Sequence, residues 1–317
     1  MQNLFTLHTA ALLLFASSHL ALADFSFTEK DGTLQLLDDG KLVTAFRNDY
    51  RFPYLYPLTS PSGANIARHW PMEEDAPTED KGHSHHRGLW LAHGSVNGYD
   101  FWTTSRVKGT DITIKSITDK KIENGTASFT ADLIWTADGK DLLSETRTQS
   151  FSRPSPETLR IDFTSKLTAT AETVVLGDTE EGTFAIRTDR TLRVKGREAK
   201  STLVNSNGDI NAKAWGKRAN WAAYSGPDEL GKPAVVVIID HPTSFRHPSH
   251  WHAREYGLLA INPFGINDFE SKGDKTLGNH TLKQGESITL RYTVIIHHGT
   301  LETAKLDDIY HSLPTKP

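Results

Sequence analysis

Gly82-His83-Ser84-His85-His86-Arg87-Gly88-Leu89-Trp90-Leu91-Ala92-His93-Gly94 gathers four histidines and an arginine within eleven residues. Histidine is the side chain most readily poised for proton transfer or metal binding near neutral pH. A second group lies far downstream, His247-Pro248-Ser249-His250-Trp251-His252-Ala253-Arg254-Glu255-Tyr256-Gly257. If the fold brings the two together, they line a polar, cationic pocket with aromatic walls. Such a pocket suits a carbohydrate or another anionic, hydroxylated ligand. Every site expectation rests on that meeting.

Two chemistries fit. For metal binding, His83 and His85 stand two apart, so an extended segment points both to one face, about 6.6 Å apart along the chain. His250-Trp251-His252 repeats that spacing. His93 is a poorer partner, because on a straight strand it lies roughly 23 Å from His86 and on the opposite face. A divalent metal on His83, His85 and His252 is the weaker expectation, since no Asp or Glu stands at a matching interval; no other cofactor is expected. The plainer use of such histidines is hydrogen bonding to loop backbone and substrate. For acid–base work, His86 beside Arg87 sets an imidazole next to a permanent cation, which favours the neutral form a general base needs. Arg87 can fork onto a carboxylate or neutralise an enolate-like transition state. The alternative for Arg87 is a surface pairing with the acidic stretch Glu73, Glu74, Asp75, Glu79 and Asp80.

Asn97-Gly98-Tyr99-Asp100-Phe101-Trp102 follows at once, a turn with aromatic surface for the C–H faces of a sugar and polar groups for its hydroxyls. For Phe101, a place in the core fits equally well. Glu181 opens a strand-like run in which Arg187 shares a face with Thr183 and Ala185. Trp215-Gly216-Lys217-Arg218-Ala219-Asn220-Trp221 sets two cations between two tryptophans. Either segment reads equally as a salt-bridged strand end.

The elements that must position these residues are mostly short strands. Alternating apolar and polar or Thr residues mark 111–117, 127–135 and 142–151, and strand-like runs continue at 33–37, 41–46, 159–167, 183–187, 234–239, 257–261 and 287–296. Asp39-Gly40, Asn124-Gly125 and Asp138-Gly139 are hairpin-turn signals. Only the end reads helical: Leu301, Ala304, Ile309 and Leu313 space as one face, with Thr300 as N-cap. Residues 71–82 form an acidic, proline-containing loop leading into the histidines. Gly-rich cofactor fingerprints, a GxSxG elbow and internal repeats are absent. The expected architecture is all-β, a large antiparallel two-sheet sandwich with few helices, one near the C-terminus.

Composition bounds the function. The 317 residues are 37% hydrophobic and 23% charged, enough for a sizeable core. A net charge of −4 without a basic block argues against a nucleic-acid partner. An apolar run over residues 4–22, ending Ala21-Leu22-Ala23, reads as a secretory leader, although no Lys or Arg precedes it. The alternative is a membrane anchor, but the run is short and is interrupted by His8, Ser17, Ser18 and His19. The expected organisation is a signal peptide over 1–23 and one β-sandwich domain over 24–317, with no membrane span in the mature form and a periplasmic or secreted location. The chain has no cysteine, which excludes thiolate metal sites, thiol nucleophiles and disulfides.

The string from His83 to Trp102 resembles the signature of the bacterial PmoA-like family, which carries a methane-oxygenase label. Arg51-Phe52-Pro53-Tyr54-Leu55-Tyr56-Pro57-Leu58, Trp215-Gly216-Lys217-Arg218-Ala219, Trp251-His252-Ala253-Arg254-Glu255-Tyr256-Gly257 and Asn262-Pro263-Phe264-Gly265 match as well. The membrane monooxygenase that the label evokes needs transmembrane helices, and no later segment here is apolar enough to be one. The resemblance implies exported proteins of polysaccharide-degrading bacteria, and stresses His86, Arg87, His93, His252 and Arg254, not His250. The all-β pattern is similar to the galactose-mutarotase-like supersandwich, a fold-level analogy.

The leading expectation is an exported carbohydrate-active enzyme acting on an oligosaccharide by lyase- or dehydratase-type elimination at an acidic or oxidised sugar. His86 or His252 would serve as base or acid, Arg87 and Arg254 would neutralise charge, and Tyr54 and Glu181 are further proton-transfer candidates. Arg51, His83, His93, Asn97, Trp102, Lys217 and Asn262 would bind substrate. The rivals are a mutarotase-like epimerase, a glycan-binding protein with Trp90, Trp102 and Trp251 on an open surface, and a metal-dependent enzyme.

Overall fold

A computed structural model describes residues 23–76, 79–103 and 109–316; of the expected leader, all but Ala23 lies outside them. The strands in chain order are β1 (Phe25–Lys30), β2 (Thr33–Asp38), β3 (Lys41–Arg47), β4 (Tyr54–Leu55), β5 (Leu89–His93), β6 (Thr110–Glu123), β7 (Thr126–Ala137), β8 (Lys140–Ser155) and β9 (Thr158–Ala169). There follow β10 (Thr173–Leu176), β11 (Gly182–Arg187), β12 (Thr202–Asn205), β13 (Trp221–Pro227), β14 (Pro233–Asp240), β15 (His250–Arg254), β16 (Leu258–Asn262), β17 (His280–Lys283) and β18 (Ser287–His298). Three short α-helices are α1 (Ile266–Glu270), α2 (Leu301–Ala304) and α3 (Leu306–Ser312).

The expected two-sheet architecture is what forms. One eight-stranded sheet runs β1-β2-β3-β4-β5-β11-β16-β15 and the other β12-β13-β14-β18-β9-β8-β7-β6; β10 and β17 make a separate pair. Every pairing between these strands is antiparallel. The Asp-Gly and Asn-Gly turns behave as read: Asp39, Asn124 and Asp138 and the glycines after them all have positive φ, as a type I′ hairpin turn requires.

Burial follows the sequence pattern. In β7 every second residue is buried, including Ala127, Phe129, Leu133 and Trp135, while the Ser and Thr positions face outward. In β14 the run Val235–Ile239 is apolar throughout because both faces are covered. Val236 and Ile238 join the inter-sheet core, whereas Val235, Val237 and Ile239 pack with Ala304, Leu306 and Leu313 of the C-terminal segment. Phe184 of β11 stacks on Tyr292 at 4.9 Å and meets Phe163 at 4.4 Å, joining the sheets. The expected terminal helix is capped by Thr300, whose side chain accepts from the Thr303 amide. It is broken in two at Lys305, a left-handed residue with φ of 48°.

In β5, β11 and β16 every residue is buried. These strands are covered on one face by the core and on the other by loops, so the first sheet carries an enclosed outer surface.

Candidate functional site

The two histidine segments meet on that outer surface. Antiparallel partners project to the same side of a sheet, and the register aligns Arg47, Tyr54, Trp90, Ala185, Ala260 and His252 as one rung across six strands. A neighbouring rung holds Arg187, Leu258 and Arg254. The alternate positions Leu91, Phe184, Ile261 and Trp251 point into the core. Ala185 and Ala260 keep the centre of the rung low, leaving room for side chains from above.

The residues that fill this room come from a turn, not from the extended segment that the H-x-H spacing assumed. His86 N–H donates to His83 O at 3.0 Å, and His83 has φ of 54°. Arg68, wholly buried, holds the turn by donating to the carbonyls of Asp80, Gly82, His83 and His86. Gly88 closes it with φ of 50°, where a Cβ would run into the Leu55 carbonyl oxygen. The result is three nearly parallel rings: His83 lies 4.9 Å from His86 and 5.3 Å from Tyr256. His86 rests on Trp90 at 5.4 Å, and Trp102 backs both at 6.1 and 5.0 Å.

Burial first, and the surrounding cations second, keep the rings neutral. Arg187 is buried, donates to His86 Nδ1 at 3.3 Å and sits 4.4 Å over the Tyr256 ring. Its Nε and Nη2 have no hydrogen-bond partner. Burial, then His85 and Arg187, hold His86 well below the ordinary imidazole range. His85 falls to about 3, again by burial first and then His83. His252 falls to about 4 through burial, although its Nδ1 is 2.7 Å from the Glu180 carbonyl oxygen. His83 is lowered by burial of part of its ring and by Arg187 and Arg68, yet it keeps an exposed side. Burial raises the Tyr256 phenol against the pull of Arg187 and Arg254.

Beside this ring cluster opens a cleft of about 330 Å³ lined by Lys195, Ala212, Trp215, Arg254 and Tyr256 among others. The Arg254 guanidinium stands 6.0 Å from the Trp215 ring centre and 5.8 Å from that of Tyr256. Lys195 pairs with Glu255 at the rim at 2.5 Å. A larger groove, about 570 Å³, holds none of these groups; Phe27, Leu34 and Ile122 line it with the Lys120–Glu29 pair.

Other expected residues take structural places. His86 is only 1% exposed, so the accessible imidazole of the ring cluster is His83, stacked on Tyr256 of the cleft wall. Arg87 lies 4.0 Å over Tyr50, and the cations that act on His86 are Arg187 and Arg68. Tyr54 donates to Asp49 at 2.7 Å and is pushed up to about 12 by burial and that carboxylate. Glu181, half-buried at the foot of β11, is near enough to Tyr256 to raise its phenol. His93 points to the core side, opposite Trp90, where it contacts the Gly177 carbonyl at 2.9 Å and packs on Phe264. Asn97 spends its amide on Thr173 O and Val175 N. Asn262, wholly buried, spends its own on Thr179 O and the amides of Phe264 and Gly265. Arg51 donates to the carbonyls of Thr103 and Asp100. Lys217 is exposed, with its carbonyl accepting from Trp251. Trp90, Trp102 and Trp251 are all buried, so they offer no open sugar platform.

Nor do His83, His85 and His252 make a metal set: His252 Nδ1 contacts the Glu180 carbonyl, and the other two rings pack edge to face. His250 Nε2 pairs with Glu270 at 3.0 Å. Among the described residues, the one group of three His, Asp and Glu side chains with mutually close ligand atoms is His69, Asp189 and Glu229.

Fold and site together define an antiparallel two-sheet β protein with a cationic, aromatic-lined cleft beside a cluster of stacked imidazoles. The chain belongs to a family of unknown function (DUF6807), whose model matches residues 33–311. That span takes in both histidine segments and the arginines around them. No curated protein matches the chain.

Proposed function

We propose that the chain is an exported carbohydrate-active enzyme that cleaves or dehydrates an oligosaccharide by elimination at an acidic or oxidised sugar. The observation that carries this reading is the Arg254 guanidinium close to both Trp215 and Tyr256 in the cleft, with the exposed imidazole of His83 stacked on Tyr256. Elimination needs a base for the proton α to a carbonyl, a cation for the enolate and an acid for the departing oxygen. His83, held neutral, takes the proton. Arg254 neutralises the carboxylate or enolate as the C–H electron pair moves into the new double bond. Tyr256, whose raised phenol stays protonated near neutral pH, gives its proton to the leaving oxygen. Trp215 supplies a face for the sugar ring. Arg187 and His86 are positioning residues that hold the His83 and Tyr256 rings. The PmoA-like resemblance of the motifs supports the export and polysaccharide setting.

The test is turnover of an oligosaccharide panel containing uronic and 3-keto sugars, followed by mass spectrometry and ultraviolet absorbance. Loss of one water or a new unsaturated chromophore is expected. His83→Ala and Tyr256→Phe should each lower kcat by about 100-fold or more, the usual worth of a general acid or base. Folded wild-type protein that changes neither mass nor absorbance, yet interconverts anomers by NMR, would replace elimination with epimerisation.

A further inference from the structure

A second group of ionisable side chains lies where three loops of the two sheets converge. His69 follows Arg68, Asp189 stands two residues beyond Arg187, and Glu229 sits in the turn between β13 and β14. His69 Nε2 is 2.9 Å from Glu229 Oε2 and 4.0 Å from Asp189 Oδ2. The three ligand atoms lie within 4.8 Å of one another.

We propose that His69, Asp189 and Glu229 bind a divalent transition cation, Zn²⁺ or Mn²⁺, that clamps these loops together. Asp189 has no exposed surface, and its Oδ2 has no hydrogen-bond partner although it faces His69. Arg190 Nη1 is 3.6 Å from that oxygen, but the Arg190 Nε donates to Glu198 at 2.9 Å. A buried carboxylate oxygen left without a hydrogen bond is costly, and a cation would satisfy it.

The other atom of each ligand is already held. Asp189 Oδ1 accepts from the Thr191 amide and hydroxyl at 2.9 and 3.0 Å. Glu229 Oε1 accepts from the Asn65 amide at 2.8 Å. His69 Nδ1 is 3.0 Å from Glu73 Oε2, and Glu73 also accepts from the Tyr56 hydroxyl. A carboxylate behind the far nitrogen of an imidazole is the usual outer support of a ligating histidine. Ligands at about 2.1 Å from a common tetrahedral ion stand about 3.4 Å apart, so shifts of about an ångström would close the set. The imidazole nitrogen in the set favours a transition ion, Zn²⁺ first and Mn²⁺ through its two carboxylates, over Ca²⁺ or Mg²⁺, which prefer all-oxygen sets.

The clamp would tie the β13–β14 turn to the loop whose Arg68 holds the histidine turn. Its test is independent of the proposed reaction. Tag-free protein, stripped with a chelator, is titrated with Zn²⁺ and Mn²⁺ by calorimetry, with Ca²⁺ as comparison, and melted with and without ion. One equivalent of Zn²⁺ or Mn²⁺ should bind and raise the Tm, with Ca²⁺ binding at least tenfold more weakly. Glu229→Gln, at a partly exposed position, and Asp189→Asn should keep the native circular dichroism while losing at least tenfold in affinity and the ion-dependent Tm rise. If stripped wild-type protein binds no stoichiometric ion, or if both folded variants bind as wild type does, the group is a plain imidazolium–carboxylate cluster and the proposal fails.

Discussion

At the scale of single residues, this protein spends buried charge on position. Arg68 and Arg187 are almost wholly buried, and their role is to hold a turn and two rings. The same economy is visible far from the cleft, where Glu145 and Arg147 pair at 2.7 Å between the sheets. Trp135 Nε1 and the Ser165 hydroxyl also donate to Glu145, each at 2.8 Å. Removing one partner of such a pair strands the other charge, at about 3–5 kcal/mol. Glu145→Leu should therefore lose about that much in urea unfolding, while Glu145→Leu with Arg147→Met should recover most of it. A double variant as unstable as the single one would show that the lost bonds to Trp135 and Ser165, not the stranded arginine, dominate.

At the scale of elements, the site depends on β11 and on how it is gripped. Its residues alternate between the outer face that carries the ring cluster, Ala185 and Arg187, and the core position Phe184. Phe184 is wholly buried and touches rings of the opposite sheet, so Phe184→Ala should cost about 3–5 kcal/mol by leaving a cavity. Arg187 hangs from the same strand, so loosened packing should also blur the ring cluster. Urea unfolding measures the first effect, and near-ultraviolet circular dichroism of the tryptophans and tyrosines reports the second. A loss below 1 kcal/mol would mean that the sheets collapse to fill the gap.

At the scale of the whole molecule, several histidines are folded away as neutral rings. His85 sits at about 3, and His93 and His252 at about 4, against an ordinary 6.5. Their folded values lie below their unfolded ones, so between about pH 4 and pH 6.5 the unfolded chain binds more protons. Stability present above pH 6.5 is then lost as the pH falls toward the folded values. Each such group adds a slope of up to about 1.4 kcal/mol per pH unit. The urea midpoint should drop clearly from pH 7 to pH 5, and less in His93→Gln. A midpoint flat over that range would mean that these rings take up protons inside the fold. Among the described residues no helix is long and apolar enough to cross a membrane.

Local chemistry in the chain is enough to settle much of this architecture. Period-two alternation marks β7 and β8, the apolar run 234–239 marks a strand, and Asp-Gly and Asn-Gly pairs mark the hairpins. Thr300 marks a helix start. These signals are legible because each depends on neighbours a few residues away. The composition of the site was legible too, since His83, Arg254 and Tyr256 all lie in segments that stand out by residue type. Which of them reaches the cleft was not, because a turn at His83–His86 replaces an extended strand and reverses the exposure of His83 and His86. Nothing near Arg68 or Asp189 in the chain announces them, and Arg187 was legible only as one residue on a strand face. Arg187 meets His86, a hundred and one positions away, only through a sheet register set by the packing of two whole sheets, and Arg68 finds its carbonyls only once the loop after it folds back over it.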